Sequence, residues 1–333
     1  MIKVENLCKT FERPKKKKGL MSYLKPEKEK FEAVKGVSFQ VNRGEMVAFV
    51  SHNGAGKSTT IKMMTGIVHP TSGRVDIAGL DPTTQRKKLA YKIGCLFGQK
   101  SGLWMHLPAI DTYKLYGAIY DIDEEIVMKR INELVEMFDI QEIINVPVRK
   151  LSLGQRMICE IVGILIHEPE IIFLDEPTIG LDIVVKEKVR ELIKEINRRR
   201  KTTVFLTSHD ISDVEKMCDR VIIIDKGTII IDESINKLKE KYMREKIITI
   251  TYEENIEDRT FDYDVDSKEG NKVTIRVDES KNSVASVLNE FLKYGKVVDV
   301  ESKSVSLEEV IYDIYTKQGW WLWRSTLKLW NIH

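Results

Sequence analysis

The sequence predicts an α/β fold: a largely parallel sheet with helices on both faces, followed by a smaller α+β domain. Three observations carry this. Through residues 1–239, short apolar runs alternate with segments of helical spacing, the pattern of strands joined by helical crossovers. The apolar run 47–50 leads into SHNGAGKSTT (51–60), then into Ile61, Met63, Met64, Ile67 and Val68 at helical spacing. A buried strand, a tight loop and a helix therefore follow in turn. From residue 240 the pattern changes to isolated strands around two helices.

Taken in order, residues 1–12 read as a strand, with Ile2, Val4 and Leu7 apolar. Residues 13–31 interrupt it with eight basic and two acidic side chains, a net of +6, and with Leu20, Met21, Tyr23 and Leu24 interleaved. Two readings fit this insertion. One is a solvated loop; the other is a basic-aromatic patch for anionic lipid headgroups, worth about 1 kcal/mol per well-placed cation. Strands follow at 34–41 and 45–50, divided by the turn Asn42-Arg43-Gly44, and at 73–78. A basic helix at 86–91 leads to a strand at 93–97. Residues 104–167 read as a helical insertion, with helices at 108–120, 124–138 and 153–167 and a linker at 147–151. Strands are expected at 171–174, 203–207 and 220–225, helices at 184–199 and 211–218, and Gly227 turns the chain into a strand at 228–232. In the smaller domain, 240–318, strands are expected at 247–251, 273–277 and 296–300, and helices at 284–292 and 307–315. That domain shows no phosphate loop, metal cluster or nucleophile constellation.

Composition excludes several classes. The 333 residues are 42% hydrophobic and 31% charged, ordinary for a globular protein with ample core. A net charge of +2 is too small to mark nucleic acid as a bulk partner. Cys8, Cys95, Cys159 and Cys218 are widely spaced and form no CxxC pair, which fits a reducing compartment with neither a disulfide framework nor a zinc site. The first residues read as a strand rather than a signal peptide. No apolar run approaches the ~18 residues needed to cross a bilayer, so any work at a membrane is expected from outside the bilayer.

The loop at 51–60 carries chemistry. A helix start offers unpaired N–H groups and a positive dipole end, and small residues let the backbone wrap an anion. Lys57 is placed to reach the β- and γ-phosphates, and the Ser58 hydroxyl to ligate Mg²⁺. Ser51 stands where the phosphate-loop pattern has Gly; if that position needs φ > 0, the serine costs about 1–2 kcal/mol. The strand 171–174 runs into Asp175 and Glu176. Asp175 is expected on the Mg²⁺ side and Glu176 as general base for in-line attack on a γ-phosphoryl group. Two adjacent carboxylates would repel a polyphosphate unless Mg²⁺ is present. His209 follows the strand 203–207 and is expected at the γ-phosphate. Gln99 ends another such strand, and its neutral amide can ligate a cation or a water. Ser51, Gln99, Asp175 and Ser208 each follow an apolar strand, so all four are expected at the carboxyl edge of one sheet.

Leu151-Ser152-Leu153-Gly154-Gln155 resembles the signature motif of ABC-transporter ATPase subunits, usually LSGGQ, and its Ser152 lies 23 residues before Asp175. With SHNGAGKST, Gln99, FLDEP, 179–182 (IGLD) and SHD in the family's order, the resemblance covers most of residues 1–240. It implies a P-loop NTPase of ABC type, with a RecA-like core sheet, an antiparallel β subdomain and a helical insertion, binding ATP and Mg²⁺. Phe11 looks like the aromatic that stacks on adenine. His52, Asn53, Gly54, Ala55, Gly56, Lys57, Ser58 and Thr59 look like the phosphate cradle. Gln99 looks like the residue that senses Mg²⁺ and the coupling helix of a membrane partner. Ser152, Gly154 and Gln155 look like the motif that closes over ATP on the opposite subunit. Asp182 looks like the acid at the dimer interface, and His209 like the switch histidine. The resemblance thus implies a homodimer, or pairing with a similar subunit, at the cytoplasmic face of a membrane. Leu153 in place of the first signature glycine is a departure.

Phe97-Gly98-Gln99-Lys100-Ser101-Gly102-Leu103-Trp104 resembles a bacterial and archaeal subgroup that pairs with a separately encoded export permease. Competing readings are a soluble ABC ATPase acting on ribosomes or DNA, and a regulatory module that binds ATP with little turnover. The tail 319–333 holds Trp320, Trp321, Trp323 and Trp330. It reads either as an interfacial anchor or as a segment that is disordered or packs on the protein.

Overall fold

The computed structural model describes residues 1–14, 28–52, 54–98, 101–242, 245–279, 281–304 and 306–317. Asn53, Gln99, most of the basic insertion (15–27) and the Trp-rich tail lie outside the described residues. The chain divides into two compact units, Met1–Glu233 and the part from Ser234 onward.

The first unit runs β1 (Ile2–Pro14), β2 (Lys28–Val41), β3 (Met46–Val50), α1 (Lys57–Met64), β4 (Ser72–Ile77), α2 (Arg86–Ala90) and β5 (Ile93–Phe97). Then come α3 (Ala109–Ile119), α4 (Glu124–Phe138), α5 (Leu153–Gly163), β6 (Ile171–Asp175), α6 (Ile183–Arg200), β7 (Thr203–Ser208), α7 (Ile211–Met217), β8 (Arg220–Asp225) and β9 (Thr228–Ser234). Six strands form a sheet in the order β5-β6-β7-β3-β8-β9, of which the first five are parallel. β3 and β6 are apolar almost throughout because they are buried on both faces; β7 is as buried but carries Thr203, Thr207 and Ser208 around Val204, Phe205 and Leu206.

On one face, Val47, Phe49, Ile171, Phe173, Phe205, Ile222 and Ile224 pack against Ile61, Met63 and Met64 of α1 and against Ile2, Val4, Leu7 and Val37. The last four belong to a second, antiparallel sheet, β2-β1-β4. This sheet is the antiparallel β subdomain that the resemblance implies, and it shares the covering of that face with α1. Phe39 of β2 locks the two sheets together, its ring centroid 5.9 Å from Phe49 and 5.8 Å from Phe205, within the range of favourable aromatic pairs.

The β1–β2 ribbon continues to the pair Pro14 and Lys28, so residues 13, 14 and 28–31 are strand and not insertion. Polar cross-strand contacts extend it where apolar alternation stops. Lys28 Nζ lies 2.7 Å from Glu12, and the Arg13 guanidinium lies 3.6 Å from the Phe31 ring centroid. In the helical insertion, α3 meets α4 closely at Gly117, where a Cβ would stand 2.3 Å from Val127. α5 ends at Gly163, short of the expected 167. His167 instead bonds the Ile93 carbonyl through Nε2 at 2.9 Å and stacks on Tyr120 at 4.0 Å.

The second unit comprises α8 (Ile235–Tyr242), β10 (Glu245–Tyr252), β11 (Ser267–Glu269), β12 (Lys272–Asp278), α9 (Val284–Phe291), β13 (Val297–Ser304) and α10 (Leu307–Lys317). Its antiparallel sheet has the order β11-β12-β10-β13. Ile248, Ile250, Tyr252, Val273, Ile275 and Val277 alternate onto one face and pack with Val287 and Phe291 of α9. α8, not expected from the sequence, packs against α10, and the unit begins at Ser234 rather than at 240. Among the described residues no helix is long and apolar enough to cross a membrane.

Candidate nucleotide site

The loop 51–56 leaves the end of β3, the strand between β7 and β8. Its glycines are required by backbone geometry. Gly54 has φ +85°, and Gly56, which caps α1, has φ +104°. A Cβ on Gly56 would also stand 2.4 Å from the Ala33 carbonyl oxygen. Ser51 is buried and is not among the residues with positive φ, so the serine carries no left-handed strain. Its hydroxyl donates to the His52 carbonyl at 3.0 Å. The loop is braced from outside: Gly227 N–H donates to the Ala55 carbonyl at 3.0 Å. Burial pushes the His52 imidazole below its ordinary pKa, with Asp225 opposing and Lys57 reinforcing. Lys57 is buried, Ser58 is exposed and Thr59 half-buried on the first turn of α1.

Lys57 Nζ is 3.4 Å from the Ser51 carbonyl and 3.4 Å from Glu176 Oε1. The same Glu176 oxygen is 3.4 Å from His209 Nδ1. These are long contacts, weak as hydrogen bonds, and they gather the cation, the acid and the histidine at one strand edge. Glu176 reaches them by adopting φ +55°. Asp175, one residue earlier, ends β6 directly beside Thr207 of β7. Among the described residues no group of three or more His, Cys, Asp or Glu side chains is placed to hold a metal. Ser58 and Asp175 offer two oxygen donors, which suits Mg²⁺ taking its other ligands from phosphates and water.

Ser152, Gly154 and Gln155 stand apart from this cluster, at the start of α5. Ser152 and Gln155 form a capping box: Gln155 N–H donates to Ser152 Oγ at 3.2 Å, and Ser152 N–H donates to Gln155 Oε1 at 3.0 Å. Gly154 lets α5 approach α6, since a Cβ there would lie 2.4 Å from Val185 Cγ1. Gly154→Ala should lower stability by about 1–3 kcal/mol, and Val185→Ala in the same chain should restore most of it. A double-mutant cycle by urea unfolding checks this; additive losses would show that the two residues do not meet. Asp182 caps α6, accepting from Val185 N–H at 3.0 Å. Phe11 is half-buried on β1 opposite Phe31, with Lys9 Nζ 5.1 Å from its ring centroid.

Five residues escaped the sequence reading. Thr207 touches both acids. Arg190 and Asp213 form a buried ion pair behind the loop that follows Glu176, and Thr178 of that loop donates to Asp213. Glu160 of α5 accepts from Ser101 Oγ and from Gly102 N–H, the latter at 3.1 Å. It thereby ties the segment after Gln99 to the helix that begins at Ser152. The available signal was a polar residue inside an otherwise apolar stretch.

Asp210, next to His209, caps α7 and pairs with Lys186 at 2.9 Å. Burial raises its pKa, but the bonds from Lys186 and Ser212 outweigh that and hold the carboxyl at about 2, below the ordinary 3.8. A depressed carboxylate stabilises above its unfolded value and loses that contribution as pH falls towards the folded one. Asp210→Asn should therefore flatten the fall in urea midpoint between pH 3.8 and about 2; an unchanged slope would remove Asp210 from the acid response.

This geometry defines a nucleoside-triphosphate-hydrolysing cassette. The ABC transporter family model matches residues 34–179. The chain is 34% identical over 221 residues to the ABC transporter ATP-binding protein NatA of Bacillus subtilis (strain 168), covering 66% of this chain and 89% of NatA. It is 33% identical over 218 residues to the linearmycin resistance ATP-binding protein LnrL of the same organism, covering 66% and 70%. Its fold matches the dimeric post-hydrolysis state of the ATP-binding cassette MJ0796 bound to ADP and Pi, with TM-score 0.59, 28% identity and coverage of 71% and 99%. The chain belongs to the ABC transporter ATP-binding family and is an ATP hydrolase.

Proposed function

We propose that this chain drives export through a separately encoded permease by closing as a dimer around ATP. The observation that carries the dimer is an apolar surface beside the signature helix. Ile183 and Val184, directly after Asp182, are 84% and 78% exposed, and Leu153 is 43% exposed. A Cβ on Gly180 would lie 3.3 Å from Leu153 Cδ2, and one on Gly154 would lie 2.4 Å from Val185 Cγ1, which groups these residues beside Ser152. Exposed aliphatic side chains grouped this way mark a protein interface. A second copy would bring its Ser152 and Gly154 to the ATP held by Lys57, as the family resemblance implies.

Each residue then has a task. Gly54, Gly56, Lys57 and the residues around them hold the phosphates, and Ser58 and Asp175 hold Mg²⁺, with Gln99 added from the sequence after β5. Mg²⁺ supplies charge neutralisation on the phosphate oxygens. A γ-phosphate competes with Glu176 for Lys57 and leaves that carboxylate to orient water, while His209 contacts the γ-phosphate. Phe11 offers its ring to adenine. A cavity of about 310 Å³, lined by Ile67, Cys95, Phe97, Tyr116, Tyr120 and His167 among others, lies beside β5, whose end leads to Gln99. It supports docking of a permease helix from the cytoplasmic face. The resistance named for LnrL supports the outward direction.

The test is purification of tagged chain from membranes in mild detergent. Retention of a six-span integral protein in stoichiometric amount, with faster ATP turnover than the free chain, is expected. Full turnover by the free chain with no membrane partner would favour a non-transport ATPase instead.

A further inference from the structure

We propose that Thr207 is a positioning residue whose hydroxyl sets the orientation of both acids at the end of β6. This rests on the reading of Asp175 as the metal-side acid and Glu176 as the base. Thr207 lies in parallel register beside Asp175 and is fully buried, so no bulk water competes for its side chain. Its Oγ1 is 2.6 Å from Asp175 Oδ1 and 3.1 Å from the Glu176 backbone nitrogen.

The direction of these bonds follows from proton count. A hydroxyl has one proton and two lone pairs. The Glu176 N–H can only donate, so Thr207 Oγ1 accepts there. Its own proton then goes to Asp175 Oδ1, which fixes the carboxylate plane and leaves the other lone pairs of Asp175 to the Mg²⁺ shell. The same hydroxyl secures the turn at Glu176. That residue has φ +55°, a conformation costing about 1–2 kcal/mol for a residue with a Cβ. Its N–H is shared between Thr207 Oγ1 and the Thr207 carbonyl, the latter at 3.2 Å. The turn carries the Glu176 side chain back to Lys57 and His209. One hydroxyl thus joins the Asp175 carboxylate to the Glu176 backbone, and a backbone acceptor remains for Glu176 if it is removed.

The test uses full-length chain carrying Thr207→Val, isosteric without the hydroxyl, and Thr207→Ser, which keeps it. Mn²⁺ affinity is read by electron paramagnetic resonance with ATP present in a Glu176→Gln background. Single-turnover hydrolysis is read with Glu176 intact. Thr207→Val should weaken Mn²⁺ binding and slow hydrolysis by about 10–100-fold each, the usual loss when a partner of a metal-ligating carboxylate is removed. Binding of ATP without metal should change little, while KM for the metal complex of ATP should rise with the lost metal affinity. Thr207→Ser should restore both to within about 3-fold of the parent, well inside that range. If Thr207→Val does not fold, Thr207→Cys takes its place, since a thiol donates weakly from the same position; parent-like Mn²⁺ affinity in it would overturn the proposal. So would a parent-like Thr207→Val, or a Thr207→Ser as impaired as Thr207→Val. Should Glu176→Gln abolish hydrolysis while Thr207→Val is parent-like, only the role of Thr207 falls. Should Glu176→Gln hydrolyse at the parental rate, the assignment of the acids falls with it.

Discussion

Glu176→Gln should slow ATP hydrolysis by about 10²–10⁴-fold, the contribution expected of a positioned general base, and should leave ATP binding intact. The amide preserves shape, so the φ +55° turn and its bonds to Thr207 survive. What disappears is the negative oxygen 3.4 Å from both Lys57 Nζ and His209 Nδ1. Removing that charge also leaves Lys57 wholly to the phosphates, so binding holds or tightens. With turnover blocked, the variant should sediment as a dimer with ATP and Mg²⁺ and as a monomer with ADP. A variant that hydrolyses at the parental rate would remove Glu176 from the chemistry; one that stays monomeric with ATP would sink the two-subunit clamp.

Arg190→Met costs about 3–5 kcal/mol of stability, the loss expected when one partner of a buried ion pair is removed. The side chains of Arg190 and Asp213 are 5% and 0% exposed. Arg190 spans two acids, Asp213 through Nε at 2.7 Å and Glu187 through Nη1 at 2.6 Å. Without it, Asp213 keeps only the Thr178 hydroxyl and its charge stays buried. Glu187 loses less, being half in solvent with Lys216 at 3.4 Å. Replacing both members, as Arg190→Met with Asp213→Leu, should recover most of the loss, because paired burial often gains little over apolar packing. Urea unfolding of both variants measures this. A single mutant within about 1 kcal/mol of the parent, the range of an exposed pair, would mean that solvent reaches the site.

The core sheet was legible because its strands are short, apolar and end on the residues that carry the chemistry. Val50 precedes Ser51, Leu174 precedes Asp175, and Thr207 and Ser208 precede His209. The extension of β1 and β2 was not legible, since Lys28, Glu12, Arg13 and Phe31 pair by charge and cation–π contact and show no alternation. β11 has three residues, Ser267–Glu269, all polar, and a strand so short takes its structure from β12 rather than from its own pattern. α8 was hidden by its lysines and Glu240, which mask the buried Ile235 and Leu238. In the site, the loop and its lysine were plain from residue types alone. The strain assigned conditionally to Ser51 depended on a φ that sequence cannot give. Ser152 and Gln155 were read for a partner's ATP. Within their own chain they close a helix end, a role that the S-x-x-Q spacing also encodes.

The clasp made by Glu160 has a mechanical consequence. Its carboxyl group grips 101–102 from within α5, and the Tyr116 hydroxyl holds the Gly102 carbonyl at 2.8 Å from α3. Prying the loop from the helix would strand a buried acceptor, at about 1–3 kcal/mol for each group left unpaired. With 101–102 tied to both α3 and α5, a displacement of that segment would carry α5, and Ser152 at its start, along with it.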